Sequence, residues 1–194
     1  MLEQIKHWAK KLSPQPLPDT LVCLDTETTS LNVAEAELLS IGAVRIRNGV
    51  IQGEEKLDIL VTSPKAERRD EEGHSAIPIH RILPNESQRG IPIDQALSSL
   101  RLFIGKAPIT GYHIDFDRKI LEKVLGHTLE NRFIEVSDLF YKRQSRRQMS
   151  SAPGGHIDLS FDHICKTLDV PVLSRHSALG DAITTAMLYL KLRA

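Results

Sequence analysis

Two rhythms of apolar and polar positions run along the chain. Residues 21–25 (LVCLD) are a short apolar run that stops on a carboxylate, as a central strand buried on both faces would. Residues 38–47 and 50–61 read as two further strands, and Asn48-Gly49 between them is the pair that two-residue hairpins prefer. The spacing then shifts to the helical period. Residues 92–104 place Ile93, Ala96, Leu97, Leu100 and Phe103 on one face, and residues 117–125 do the same with Ile120, Leu121 and Val124. Residues 158–168 and 177–192 are two more predicted helices. Short apolar stretches at 108–112 and 133–136 separate the helices and read as strands.

The remaining segments are punctuation. Residues 2–12 set Leu2, Ile5, Trp8, Ala9 and Leu12 at helical spacing, and the three prolines of residues 13–19 end that helix. The chain thus divides into an amphipathic helix with a Pro-rich connector (1–19) and a main domain (20–194). Residues 63–89 are charged and aperiodic, and read as a long loop. Residues 142–155 are polar and basic, end in Pro-Gly-Gly, and read as a mobile loop. Strands first, then strands alternating with helices, predict an α/β fold with a mixed sheet covered by helices.

Composition narrows the picture. The 194 residues carry 25 Lys and Arg against 25 Asp and Glu, so a nucleic-acid surface has to be local rather than global. Lys65–Arg69 and the group Lys142, Arg143, Arg146 and Arg147 are the candidate patches, with solvated loop charge as the plainer explanation. No apolar run reaches the 18 residues of a membrane span, and the polar start does not read as a secretory leader. A cytoplasmic protein without membrane contact is the expectation. Cys23 and Cys165 stand apart, with no zinc spacing, and read as small buried residues.

The chemistry sits in three places. Asp25 and Glu27 end the first strand two residues apart, so both point to one face, where a hard cation would relieve their repulsion. Asp117 lies at a strand-to-helix junction, following Asp115, which suits a helix cap. His176 precedes the last helix and Asp181 lies in it, among small residues that admit a close backbone. Each feature alone has an ordinary structural explanation. Their order along one chain is the stronger signal.

In that order, Asp25-Thr26-Glu27-Thr28-Thr29, Tyr112 to Asp117 and His176 to Ala182 resemble the three motifs of the DEDDh 3′–5′ exonucleases, the DnaQ-like family that includes epsilon-type proofreading subunits of DNA polymerase III. The resemblance spans about residues 20–192. It implies a ribonuclease H-like fold, with a mixed five-stranded sheet and helices on both faces. It implies Asp25, Glu27, Asp117 and Asp181 as metal-binding carboxylates for two divalent ions, Mg²⁺ or Mn²⁺, and His176 as general base. Thr28, His80 and Phe116 match positions near the substrate. Ser30 departs from the pattern, where the first motif usually continues with Gly.

The implied activity is release of nucleoside 5′-monophosphates from single-stranded DNA or RNA 3′ ends, with nucleic acid as partner and a DNA polymerase subunit as a further candidate. An RNA-trimming exoribonuclease and a non-catalytic nucleic-acid- or polymerase-binding subunit are the alternatives. A Ca²⁺-binding module is disfavoured, because the acids are scattered and no Asp-rich loop holds them.

Overall fold

The run that begins at Leu21 becomes β1 (Leu21–Thr28), the middle strand of a five-stranded sheet in the order β3-β2-β1-β4-β5. This is a computed structural model, and it describes residues 16–63, 82–151 and 156–193. β2 (Leu38–Arg47) pairs antiparallel with β1, and β3 (Val50–Leu60) antiparallel with β2. β4 (Ile109–Gly111) and β5 (Phe133–Glu135) extend the other side in parallel. The hairpin forms as its sequence predicts: Arg47 pairs with Val50, and Asn48 and Gly49 take positive φ of 49° and 74°. The β2–β3 register slips once. Val44 pairs with Lys56 but Arg45 with Gln52, so Gly53, Glu54 and Glu55 bulge out of the ladder.

The helices among the described residues are α1 (Pro84–Ser87), α2 (Ile93–Ile104), α3 (Ile114–Leu125), α4 (Val136–Ser151), α5 (Phe161–Leu168) and α6 (Ala178–Arg193). They cover both faces of the sheet. Alternation in β1 decides what each face holds. Leu21 and Cys23 join Val44, Ile46, Phe140, Phe161, Ile164 and Tyr189 in one core, under α4, α5 and α6. Val22 and Leu24 join Ile41, Ala43, Leu97, Leu100, Ile120 and Leu121 in the other, under α2 and α3. Cys23 and Cys165 are both buried free thiols, as expected.

Several local expectations need correction. Residues 142–151 are not a loop: α4 continues through them. The signal was weak because Val136 and Phe140 anchor only its first turns in the core, while the residues after Phe140 are, apart from Tyr141 and Met149, all Lys, Arg, Gln and Ser. No Pro or Gly interrupts residues 136–151, and Lys, Arg and Gln are good helix formers. The helix expected from residue 158 starts at Phe161, after Asp158 Oδ1 accepts the Ser160 N–H at 2.8 Å. α3 starts three residues earlier than expected, and Asp115 does not cap it. His113 occupies the cap with φ 56°, and the Glu135 carboxylate accepts the N–H groups of His113 and Ile114. Asp115 pairs instead with Arg118 and Lys119. The first predicted helix (2–12) lies outside the described residues, as does most of the 63–89 loop, whose described part contains the single turn α1.

Candidate active site

Strand alternation places the carboxylates. Asp25 and Glu27 continue the Leu21–Cys23 side of β1 and so face α6. Gly42 stands opposite Asp25 in the β1–β2 ladder. A Cβ on Gly42 would lie 2.0 Å from the carbonyl carbon of Ala178 and 2.1 Å from the Leu179 nitrogen. The first turn of α6 therefore rests directly on the β2 backbone. That contact brings Asp181 to the two strand carboxylates, and oxygens of Asp25, Glu27 and Asp181 lie within 4.8 Å of one another.

Thr26 points the other way, toward α3, and meets Asp117. β4 pairs with β1 only as far as Cys23, which leaves the Thr26 N–H open at the end of the sheet. Asp117 Oδ1 accepts that N–H at 2.8 Å and the Thr26 hydroxyl at 2.6 Å. Asp117 is buried and lines the same cavity as the other three acids.

The cavity, of about 360 Å³, is lined by Asp25, Glu27, Asp117, His176 and Asp181, with Thr28 and Phe116 on its wall. His176 takes φ 63°, and its N–H donates to Asp181 Oδ2 at 3.2 Å. It also borders an adjoining cavity shared with Glu27 and Arg175. Gly180 lets this segment cross α6, since a Cβ there would sit 2.4 Å from the Leu173 carbonyl oxygen. Ser30 replaces the usual glycine without opening the turn: its carbonyl accepts the Thr28 hydroxyl and its hydroxyl accepts the Asn32 N–H. His80 lies outside the described residues.

Crowding of like charge sets the electrostatics. Burial raises Asp25 well above the ordinary carboxylate range, and repulsion from Asp117, Glu27 and Asp181 adds to it. Glu27 is pushed up to about 7 by burial, then by Asp181 and Asp117. Asp117 is also pushed up to about 7 by burial, against the opposing hydrogen bonds from Thr26. Arg175 is the countercharge, with its guanidinium 3.3 Å from Asp181 Oδ2 and 4.4 Å from the Phe161 ring centre. Asp181 Oδ1 is buried and has no hydrogen-bond partner. An oxygen-only set of three carboxylates, one with an orphaned oxygen, fits a hard divalent cation.

The Exonuclease family model matches residues 22–189, almost the whole described domain. The chain belongs to the DnaQ-like 3′–5′ exonuclease family. Among curated relatives of this family, it is 28% identical over 176 residues to a PolC-type DNA polymerase III of Thermotoga petrophila, covering 89% of this chain but 12% of that protein. It is also 28% identical over 156 residues to an oligoribonuclease of Tropheryma whipplei, covering 73% of this chain and 84% of that protein. The chain therefore spans about an eighth of the polymerase and most of the oligoribonuclease. Solved structures share the fold. E. coli exonuclease I in complex with a dT13 oligonucleotide superposes with a TM-score of 0.68 at 16% identity, over 89% of this chain and 40% of that one. Cell-death related nuclease 4 gives 0.68 at 15%, over 89% and 62%.

Within this DnaQ-like frame, the described carboxylates and His176 meet at the end of the sheet where β1 outruns β4. Three residues at the site have roles the sequence reading did not assign. Thr26 holds Asp117, and alternation along Asp25-Thr26-Glu27 was the available signal. Arg175 offsets the acids, and its place beside His176 gave only a weak hint. Glu135 orders the start of α3 through contacts 21 and 22 residues away, which no local pattern announces.

Proposed function

We propose that this chain is a cytoplasmic, metal-dependent 3′→5′ exonuclease of the DEDDh type, releasing nucleoside 5′-monophosphates from single-stranded DNA or RNA 3′ ends. The observation that carries the reading is the meeting of Asp25, Glu27 and Asp181 oxygens within 4.8 Å, with one Asp181 oxygen orphaned and His176 on the same cavity. Asp25, Glu27 and Asp181 would hold one Mg²⁺ or Mn²⁺ ion, and Asp25 with Asp117 a second. Ions bound there would neutralise charge on the phosphodiester and ease ionisation of water. His176 accepts the proton of the attacking water at an imidazole nitrogen, which requires the neutral ring. Thr26 keeps Asp117 aimed at the cavity. Thr28, Phe116 and His80 contact the terminal nucleotide.

RNA is a substrate class of equal standing with DNA, because a relative that this chain spans over 84% of its length is an oligoribonuclease. The PolC-type relatives make a DNA polymerase the candidate protein partner. The test is digestion of matched DNA and RNA oligomers, labelled at either end, with Mg²⁺ or Mn²⁺ and with Asp25→Ala in parallel. A 5′-label ladder with early loss of the 3′ label, absent in the variant, is expected. Near wild-type cleavage by Asp25→Ala would overturn the assignment. No cleavage of either polymer by the wild type would favour a binding subunit.

A further inference from the structure

A second groove, of about 700 Å³, follows the outer edge of the sheet between β5 and α4. Its cations are Arg132, just before β5, and Lys142, Arg143, Arg146 and Arg147 on α4. Two acids, Glu135 and Asp138, share the lining. Glu135 is already engaged by four donors: the N–H groups of His113, Ile114 and Ser137 and the Ser137 hydroxyl. Five cations against two acids concentrate positive charge here, in a chain whose formal net charge is zero.

The groove adjoins the carboxylate cavity. Glu135 receives the His113 N–H, and His113 lines that cavity. α4 begins at this end, directly after Glu135, and runs away from it. Lys142 and Arg147 lie about 9 and about 17 Å down the helix from its start. The pairs Lys142/Arg146 and Arg143/Arg147 each span about one helical turn, about 6 Å, so their charges follow one another along the groove. Arg143 is braced by the Lys191 carbonyl at 2.6 Å and Arg132 by the Pro16 carbonyl at 3.1 Å, so two of the guanidinium groups are held at the groove.

We propose that this groove is a backbone track. It takes the phosphates of the strand whose 3′ end lies in the carboxylate cavity, several nucleotides to the 5′ side. The proposal rests on the exonuclease reading for the direction of the strand. Contacts to phosphate alone make such a track indifferent to sequence and sensitive to salt. An acidic peptide offers the same charge, but only a phosphodiester strand also continues into the carboxylate cavity.

The test measures binding of labelled oligomers of about 3 and about 12 nucleotides, with Ca²⁺ replacing Mg²⁺ to limit turnover. Lys142→Ala/Arg146→Ala is compared with wild type and with Arg101→Ala/Lys106→Ala, which removes cations ahead of β4. Lys142 and Arg146 are both exposed, so the fold should survive their loss. The track variant is expected to bind the longer oligomer roughly tenfold more weakly, with a salt slope smaller by about 1.4. The short oligomer should lose less than twofold, and the control variant should match wild type. Equal losses for both lengths, or an unchanged salt slope, would overturn the track. So would competition by polyglutamate of matched charge as effective as by the oligomer. Cleavage is followed separately with Mn²⁺. Length-dependent binding without cleavage would support the track while refuting the exonuclease reading, and cleavage with unaltered binding would do the reverse.

Discussion

At the scale of single residues, the proposed function separates groups that bind metal from one that moves a proton. His176→Ala removes an imidazole but leaves the oxygens of Asp25, Glu27 and Asp181 in place. Turnover should fall by roughly 10²–10⁴-fold while Mn²⁺ affinity, followed by calorimetry, stays near wild type. A parallel loss of metal affinity would make His176 a ligand or a structural residue. Thr26→Val removes the 2.6 Å hydroxyl bond to Asp117 and keeps the backbone one. Loss of a partner behind a metal ligand typically costs about 10–100-fold in affinity or activity. Activity titrated against Mn²⁺ should reveal that loss, and an unchanged titration would show that the backbone bond suffices. The acid pair Asp25 and Glu27 was legible because a strand has a fixed period of two. The same period contains Thr26's role, but only once the element on the opposite face is known to carry Asp117. Arg175 was only faintly legible, because its partners Phe161 and Asp181 come from two different helices.

At the scale of elements, the decisive contact is between β2 and α6. Gly42→Ala would set a methyl group about 2 Å from the Ala178 backbone, which no side-chain rotation can relieve. Overpacking of this kind costs about 1–3 kcal/mol, and here the displaced element carries Asp181. Gly42→Ala should therefore lower the melting temperature and reduce exonuclease activity more than the stability loss alone explains. A variant that melts early yet retains full activity below its transition would show that α6 can shift without moving Asp181. Elements with a strong period were read correctly from sequence, including the β2–β3 hairpin and α2. α4 was missed because a helix anchored by Val136 and Phe140 at one end shows little periodicity over the rest of its length. The early start of α3 was missed because its first N–H groups are satisfied by Glu135, from the following strand.

At the scale of the whole molecule, the carboxylate cluster ties folding to pH and, under the proposed function, to metal. An unfolded chain ionises Asp and Glu near pH 4, whereas Glu27 and Asp117 are held up to about 7 and Asp25 is raised as well. Between those values the folded protein binds more protons than the unfolded chain. The stability linked to these groups is fully present below about pH 4 and is lost as pH rises through about 7. With a chelator, the melting temperature should decline between about pH 5 and about pH 8 from this cause. Under the proposed function Mn²⁺ binds the ionised acids, so it should raise the melting temperature more at about pH 8 than at about pH 5. A Mn²⁺ effect independent of pH would contradict the shared origin of the two behaviours.

The slipped register of β3 matters beyond the monomer. Among the described residues β3 is an end strand of the sheet, and an end strand is where a second chain can add its own backbone and start an aggregate. Gly53, Glu54 and Glu55 break the line of ladder bonds there, and Glu54, Lys56 and Asp58 put charge along the same strand. The same sheet that holds four acids at one end thus offers a poor template for another strand along its β3 edge.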